Sequence, residues 1–152
     1  MNVVALVCWV AAALGGFYLL ATWLQSGGMR QQHHGPTRFP AVLVFGHFLL
    51  AAAGMLVWLV YLFDGQRSTA MIAFALIAVT ALLGFVMFAR WLPDQIGSVA
   101  LARSVTSNDD TGRAGGAEEL PAEQTFPLAS VVGHGALAAV TLALVLVIAL
   151  NS

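Results

Sequence analysis

The sequence predicts an all-α integral membrane protein, a four-helix bundle built from two tandem helical-hairpin repeats related by a pseudo-twofold axis along the membrane normal. Three observations predict it: an apolar composition, four long uncharged segments, and a segment that occurs twice. The chain is 60% hydrophobic and only 9% charged, whereas a soluble domain carries about 25% charged residues. We therefore expect lipid to surround most of one transmembrane domain, residues 1–152.

Four apolar segments are each long enough to cross about 30 Å of hydrocarbon at about 1.5 Å per residue. Because backbone polar groups in lipid must pair within their own segment, these segments are predicted to be helices. They cover residues 3–24, 39–63, 69–92 and 126–150.

The repeat is clearest in residues 39–52, FPAVLVFGHFLLAA, and residues 126–139, FPLASVVGHGALAA. Both begin with Phe-Pro and both contain Gly-His in the middle. A weaker match joins residues 13–24, ALGGFYLLATWL, to residues 81–92, ALLGFVMFARWL. Self-similarity of this kind indicates a duplicated unit, so the first and second segments form one hairpin and the third and fourth form its copy.

The connections predict the orientation in the membrane. Most arginines lie in the loops 25–38 and 90–125, and arginine-rich loops remain in the cytoplasm. Both termini are then outside, and we expect the plasma membrane as the location. Residues 104–125 are acidic and glycine-rich, a composition that buries too little apolar area to order a segment, so a mobile loop is expected there.

Two histidines and two glycines are predicted to share one layer of the bundle. His47 and His134 each lie seven residues after a proline, which places them about 10 Å along their helices. Gly16 and Gly84 each lie seven residues before a tryptophan, and tryptophans collect at the membrane interface. If prolines and tryptophans mark the same side, all four residues lie at one depth.

Paired imidazoles at one depth suit a b-type haem, with His47 and His134 as axial ligands of the haem iron. A porphyrin is a wide apolar plate that needs neighbouring helices without bulky side chains. Gly46 and Gly133, which precede the histidines, would thin the wall further. A protein of this kind would transfer electrons, with quinone or other membrane subunits as partners.

The propionates of such a haem would point toward the nearer membrane face, where Arg38 or Arg90 would meet them. Arg90 is the more attractive candidate because Thr22 occupies the equivalent position in the first repeat. That difference between the copies would orient the ring.

Several alternatives stay open. Histidines inside a membrane also hydrogen-bond across helices, for about 0.6 kcal/mol on average, and a duplicated ancestor with one packing histidine would leave two. The layer would then be a polar packing layer in a non-catalytic accessory or anchor subunit of a larger complex. A quinone, proton or metal-ion site is a further alternative, whereas His33 and His34 in the polar loop are expected to lie in water.

Other functions are disfavoured. Apart from Arg90 near the end of the third segment, the apolar segments contain no carboxylate, lysine or arginine, which disfavours ion-coupled transport and paired-carboxylate catalysis. No hydrolase or transferase site is apparent, so any enzymatic role is at most that of a redox subunit. The net charge of −1 disfavours nucleic-acid binding, which needs a basic surface.

Overall fold

The protein is helical throughout the part of the chain that the structure describes. A computed structural model describes the backbone of residues 1–107 and 120–152, and these residues form no strand. The helices are α1 (Asn2–Gln25), α2 (Gln31–His34), α3 (Ala41–Asp64), α4 (Arg67–Ser107) and α5 (Leu128–Asn151), with a 3₁₀ turn over Ala122–Thr125 before α5.

Four of these helices are long and apolar enough to cross a membrane, which confirms the prediction of four apolar helices. They are α1, α3, α5 and the Arg67–Gly97 part of α4. Large apolar side chains on their outer faces are exposed; Val42 is 85% exposed and Phe63 is 92% exposed. Such surfaces are unfavourable in water and favourable against lipid, so the four helices suggest a membrane protein.

Local chemistry explains where the helices begin and end. Pro40 and Pro127 directly precede α3 and α5, where a missing backbone N–H leaves no helical hydrogen bond unmade. Gly65 ends α3 in the left-handed conformation, with φ +62°, which glycine adopts without a steric penalty. The tight turn is held by Asp64, whose carboxylate accepts bonds from the Gln66 N–H and the Thr69 hydroxyl.

The third apolar segment extends further than the sequence predicts. Helix α4 continues through Pro93 to Ser107, beyond the expected end at residue 92. Membrane helices tolerate an internal proline when the freed carbonyl finds another partner. The segment expected to be mobile, 104–125, lies mostly outside the described residues, and its last residues pack against the bundle.

The four long helices, α1, α3, α4 and α5, form a ring in which each contacts two neighbours. The most extensive contacts join α3 to α4 and α1 to α5, followed by α4 to α5 and then α1 to α3. Helices α1 and α4 run in one direction, and α3 and α5 run in the other. One apolar cluster shows this, since it joins the beginnings of α1 and α4 to the ends of α3 and α5.

Two apolar clusters fill the interior, one toward each end. The terminal cluster lies at the end of the bundle where α1 begins and α5 ends, near the α3–α4 turn; its members include Trp9, Trp58, Tyr61, Ala73 and Ile148. The loop cluster lies at the opposite end and consists of Trp23, Phe39, Val44, Trp91 and Ala122. The predicted histidine layer lies between these clusters along each helix.

Candidate functional site

The two membrane histidines meet inside the bundle. The ring centroids of His47 on α3 and His134 on α5 are 6.2 Å apart, and their planes make an angle of 65°. Both side chains are half-buried. Helices α3 and α5 lie on a diagonal of the ring of helices, so the imidazoles reach each other across the interior and not along one helix face.

Each imidazole is anchored to a neighbouring helix. The Nδ1 of His47 lies 3.0 Å from the carbonyl oxygen of Thr80 on α4, and the Nδ1 of His134 lies 2.8 Å from that of Ala12 on α1. A carbonyl only accepts hydrogen bonds, so Nδ1 is assigned as the protonated nitrogen in both rings. In a neutral imidazole the Nε2 nitrogen then carries a lone pair.

Glycines make these two hydrogen bonds sterically feasible. Each acceptor carbonyl lies one turn before a glycine on the same helix: Thr80 before Gly84 and Ala12 before Gly16. A Cβ atom on either glycine would lie 3.0 Å from the Cε1 of the facing histidine, closer than such carbon atoms normally approach. Gly16 and Gly84 therefore admit the imidazole rings themselves.

The other predicted glycines are placed differently. A Cβ atom on Gly46 or on Gly133 would meet nothing within 4 Å. Both precede a histidine in the chain, yet they lie beside open space on the outer side of α3 and α5. The sequence had grouped all four glycines with the histidines, and the structure brings only Gly16 and Gly84 against the rings.

The separation of the two ring centroids is close to that of two imidazoles bound to one metal atom. Metal–imidazole bonds are about 2.0–2.1 Å long and the ring centre lies about 1.1 Å behind the nitrogen, so two opposed ligands place their centroids about 6 Å apart. The observed separation is 6.2 Å. Metal-binding histidines also commonly donate the other ring N–H to a backbone carbonyl, as both of these do.

The donor set favours a metal that brings its own ligands. Among the described residues, no group of three or more His, Cys, Asp or Glu side chains could hold a metal ion. A bare zinc site needs at least three protein ligands, whereas a porphyrin iron requires only two axial ones. The residues His47 and His134 could hold only a metal that brings its other ligands with it.

The two arginines expected near the cofactor line a cavity closer to the loop end of the bundle. The cavity has a volume of about 560 Å³. Its walls come from the residues before α3 and from the α4 segment near Pro93; the lining residues are Gln32, Thr37, Arg38, Pro40, Ala89, Arg90 and Pro93. Pro40 lies seven residues before His47, so the cavity is about 10 Å nearer the loop end than the histidine layer.

A buried carboxylate beside this cavity was not anticipated from the sequence. Glu123 is completely buried, although it belongs to the segment 104–125 that was expected to be a mobile loop. Its carboxylate accepts bonds from the Thr37 hydroxyl, at 2.7 Å, and the Arg38 backbone N–H. Its backbone carbonyl accepts a bond from the indole N–H of Trp91, at 3.0 Å.

Two glutamines complete a polar cap over the loop cluster. The side chain of Gln31 donates to the Leu120 carbonyl and accepts from the Ala122 N–H. Gln32 donates to the carbonyls of Gly28 and Phe39 and accepts from the N–H of Ala41. These side chains satisfy backbone groups of irregular segments, which would otherwise be costly to bury.

His33, in contrast, is exposed in the first loop, as expected.

No protein-family model, curated protein or solved structure matches this chain. The function is therefore inferred from the residues and their geometry.

Proposed function

We propose that His47 and His134 are the axial ligands of a b-type haem and that the protein transfers electrons within a membrane. The observation that supports this most is the facing pair of imidazoles, 6.2 Å apart, each with Nδ1 bonded to a backbone carbonyl. Those bonds orient the rings and leave both Nε2 lone pairs for a metal.

The pattern of contacts also supports the proposal that the two hairpins are copies related by a pseudo-twofold axis. His47 of the first hairpin bonds to α4 of the second, and His134 of the second bonds to α1 of the first. The two acceptors, Thr80 and Ala12, occupy equivalent positions in the repeat. A duplicated unit would thus supply two equivalent ligands to one central group.

Two histidine ligands favour electron transfer over reactions at the iron. A haem iron with both axial positions occupied has no open site for oxygen or a substrate, so the group would exchange electrons only. The apolar clusters on either side would lower the local dielectric constant around a bound haem, and this burial would tune its reduction potential. Quinone or another membrane subunit is the proposed redox partner.

The remaining assignments follow from the sequence. The propionates would extend toward the loop end, and their pairing with Arg38 or Arg90 stays a prediction, as do the contributions of Gly46 and Gly133 to the haem site. The proposed orientation has loops 25–38 and 90–125 in the cytoplasm and both termini outside, in the plasma membrane.

The deciding experiment is a reduced-minus-oxidised absorption spectrum of the full chain, purified in detergent after expression with haem supplementation. We expect a sharp α band in the wild type that is lost in His47→Asn and in His134→Asn separately. The amide N–H of asparagine replaces the Nδ1–H donor but provides no imidazole ligand, so these variants remove the ligand and retain the packing bond. His33→Asn is the matched control and retains the band.

A featureless wild-type spectrum, or a band that survives both membrane substitutions, would overturn the haem proposal.

A second function is supported by the way the glycines fit the rings. Because Gly16 and Gly84 accommodate the imidazoles closely and Nδ1 is already bonded, the pair also works as a polar packing layer without a cofactor. The protein would then be an accessory or anchor subunit. Affinity purification from native membranes tests this: a defined complex should co-purify and should dissociate when this chain is deleted.

A further inference from the structure

We propose that a lipid-soluble ligand reaches His47 and His134 from the side, between α1 and α3, and that the rings of Phe17 and Phe48 close this lateral opening. The proposal depends on the proposed function only in naming haem as the ligand that enters. A metal site inside a protein needs a path of entry. Apolar clusters fill the interior on both sides of the histidine layer, so a path along the bundle axis is blocked and a path from the side is favoured.

The boundary between α1 and α3 is the least tightly packed side of the ring of helices. Of the four neighbouring pairs, α1 and α3 make the least extensive contact, although they are the two long helices of the first hairpin. The corresponding helices of the second hairpin, α4 and α5, contact each other more extensively. The two hairpins therefore differ at this boundary, and a molecule in the lipid meets the least obstruction between α1 and α3.

Buried side chains close this boundary toward its two ends. Near the terminal cluster, the Trp9 ring on α1 lies 6.4 Å from the Trp58 ring on α3, and a Cβ atom on Gly54 would lie 3.1 Å from Trp9. Near the other end, Trp23 of α1 and Val44 of α3 belong to the buried loop cluster. The stretch between these contacts is the level of the histidines.

At the histidine level, two phenylalanine rings lie across the boundary. The ring centroids of Phe17 and Phe48 are 5.1 Å apart and their planes make an angle of 82°, the edge-to-face arrangement that aromatic pairs prefer. Phe48 follows His47 in the chain, and Phe17 follows Gly16, which lies against the His134 ring. Phe17 is 55% exposed. Exposed side chains change rotamer within picoseconds to nanoseconds, so this contact can open while the helices stay in place.

The repeat indicates that the ring pair is specific to the first hairpin. Phe17 corresponds to Phe85 of the second hairpin, whereas Phe48 corresponds to Gly135. Glycine has no ring, so the second hairpin cannot form the equivalent pair. The first hairpin thus has an aromatic contact where its helices contact each other least, and Phe85 provides a matched position without that contact.

The test measures access to the histidines of the haem-free full chain in detergent with diethyl pyrocarbonate, a small apolar reagent that acylates an unprotonated imidazole nitrogen. Mass spectrometry of peptides gives separate rates for His47, His134 and the exposed His33. Phe48→Ala and Phe17→Ala should each raise the rates at His47 and His134 about two- to tenfold, the factor that one aromatic contact contributes to the closed state. The rate at His33 should not change.

Phe85→Ala is the matched control, because it removes the corresponding exposed ring from a position whose partner is glycine. Its rates at His47 and His134 should equal those of the wild type. Phe48→Leu retains most of the apolar volume without the ring, so it should raise the rates less than Phe48→Ala. Far-ultraviolet circular dichroism before the reaction establishes that each variant is folded.

A second measurement follows the growth of the α band after haem is added to each haem-free variant. Phe48→Ala should take up haem faster than the wild type, by a similar factor, because the path is open more often. It should reach the same final spectrum, because both axial ligands are retained.

Unchanged acylation of His47 and His134 in Phe48→Ala, or the same increase in Phe85→Ala, would overturn the lateral opening whether or not haem binds. Faster acylation with an unchanged rate of haem uptake would overturn the assignment of haem to this path. A wild type without an α band would overturn the proposed function instead, and the acylation rates would still test the opening.

Discussion

Replacing Gly84 by alanine should force the His47 ring away from its hydrogen-bond acceptor. The new Cβ would lie 3.0 Å from the His47 Cε1, whereas carbon atoms prefer separations of about 3.5–4.0 Å. A retreat of about 0.5 Å would lengthen the 3.0 Å bond from Nδ1 to Thr80 beyond the normal range of about 2.7–3.2 Å.

The expected cost combines overpacking with the weakened bond. Overpacking of a well-filled interior costs about 1–3 kcal/mol, and a hydrogen bond between membrane helices contributes about 0.6 kcal/mol. Alanine is also the better helix former by about 1 kcal/mol, so Gly84→Ala should destabilise the protein by about 1–2 kcal/mol overall. Gly16→Ala should behave alike, because its Cβ meets His134 at the same 3.0 Å.

The matched control is Gly46→Ala, with Gly133→Ala as its counterpart in α5. A Cβ at either position meets nothing within 4 Å, so these variants gain helix propensity without a clash. They should be neutral or slightly stabilised. The assay is equilibrium unfolding of each purified variant in mixed detergent micelles, followed by circular dichroism.

Equal stability of all four variants, or a Gly84→Ala variant as stable as Gly46→Ala, would contradict this prediction. Either result would show that the imidazoles do not press against Gly84 and Gly16 as the structure indicates.

Two further predictions concern the loop end. Trp91→Phe should lower the free energy of unfolding by about 1–3 kcal/mol, because it removes the donor to the buried Glu123 carbonyl. Trp23→Phe should cost less in the same unfolding assay, because the buried Trp23 indole N–H has no hydrogen-bond partner among the described residues. Equal losses would contradict this. Glu123→Ala should also lower the free energy of unfolding by about 1–3 kcal/mol, because it leaves the Thr37 hydroxyl and the Arg38 backbone N–H without their acceptor. Glu123→Gln, which retains an acceptor oxygen, should cost less. Limited proteolysis should cut the Leu120–Phe126 region faster in Glu123→Ala, and unchanged cleavage would argue against the anchoring role.

Hydrophobicity alone was sufficient to predict the four long helices. The bilayer imposes a length and a backbone requirement that few other structures satisfy, so uninterrupted apolar segments have essentially one outcome. The end of α4 was harder to predict, because Pro93 normally favours a helix end. Nothing in the following residues forces the chain out of the helix, and α4 continues to Ser107.

The meeting of His47 and His134 was predictable for a different reason. Counting residues from Pro40 and Pro127 fixes depth, since the rise per residue of a helix is constant. Counting does not fix rotation about the helix axis. The sequence prediction therefore placed Gly46 and Gly84 in the same site, although Gly46 faces open space and Gly84 contacts His47.

The burial of Glu123 could not be predicted from composition. Glu118, Glu119 and Glu123 occupy one acidic segment, and a local sequence gives no reason to bury one of them. What buries Glu123 is a set of donors distant in the chain, at Thr37 and Arg38. Contacts of this kind depend on how two loops meet. The repeated segments give no information about them, because Thr37, Arg38 and Glu123 lie outside the matched residues 39–52 and 126–139.

The two proposed functions, a packing layer and a haem site, require different atoms of the imidazole rings that lie against Gly16 and Gly84. A packing layer needs only a donor at the Nδ1 position, because the bonds to Thr80 and Ala12 satisfy the side chains. A haem ligand needs that same bond for orientation and a second nitrogen for the iron. Asparagine supplies the N–H donor but has no second nitrogen for the iron. It therefore distinguishes the packing function from the haem function, whereas alanine would abolish both. If His47→Asn retains stability and loses an absorption band, the second nitrogen has a role that packing does not explain.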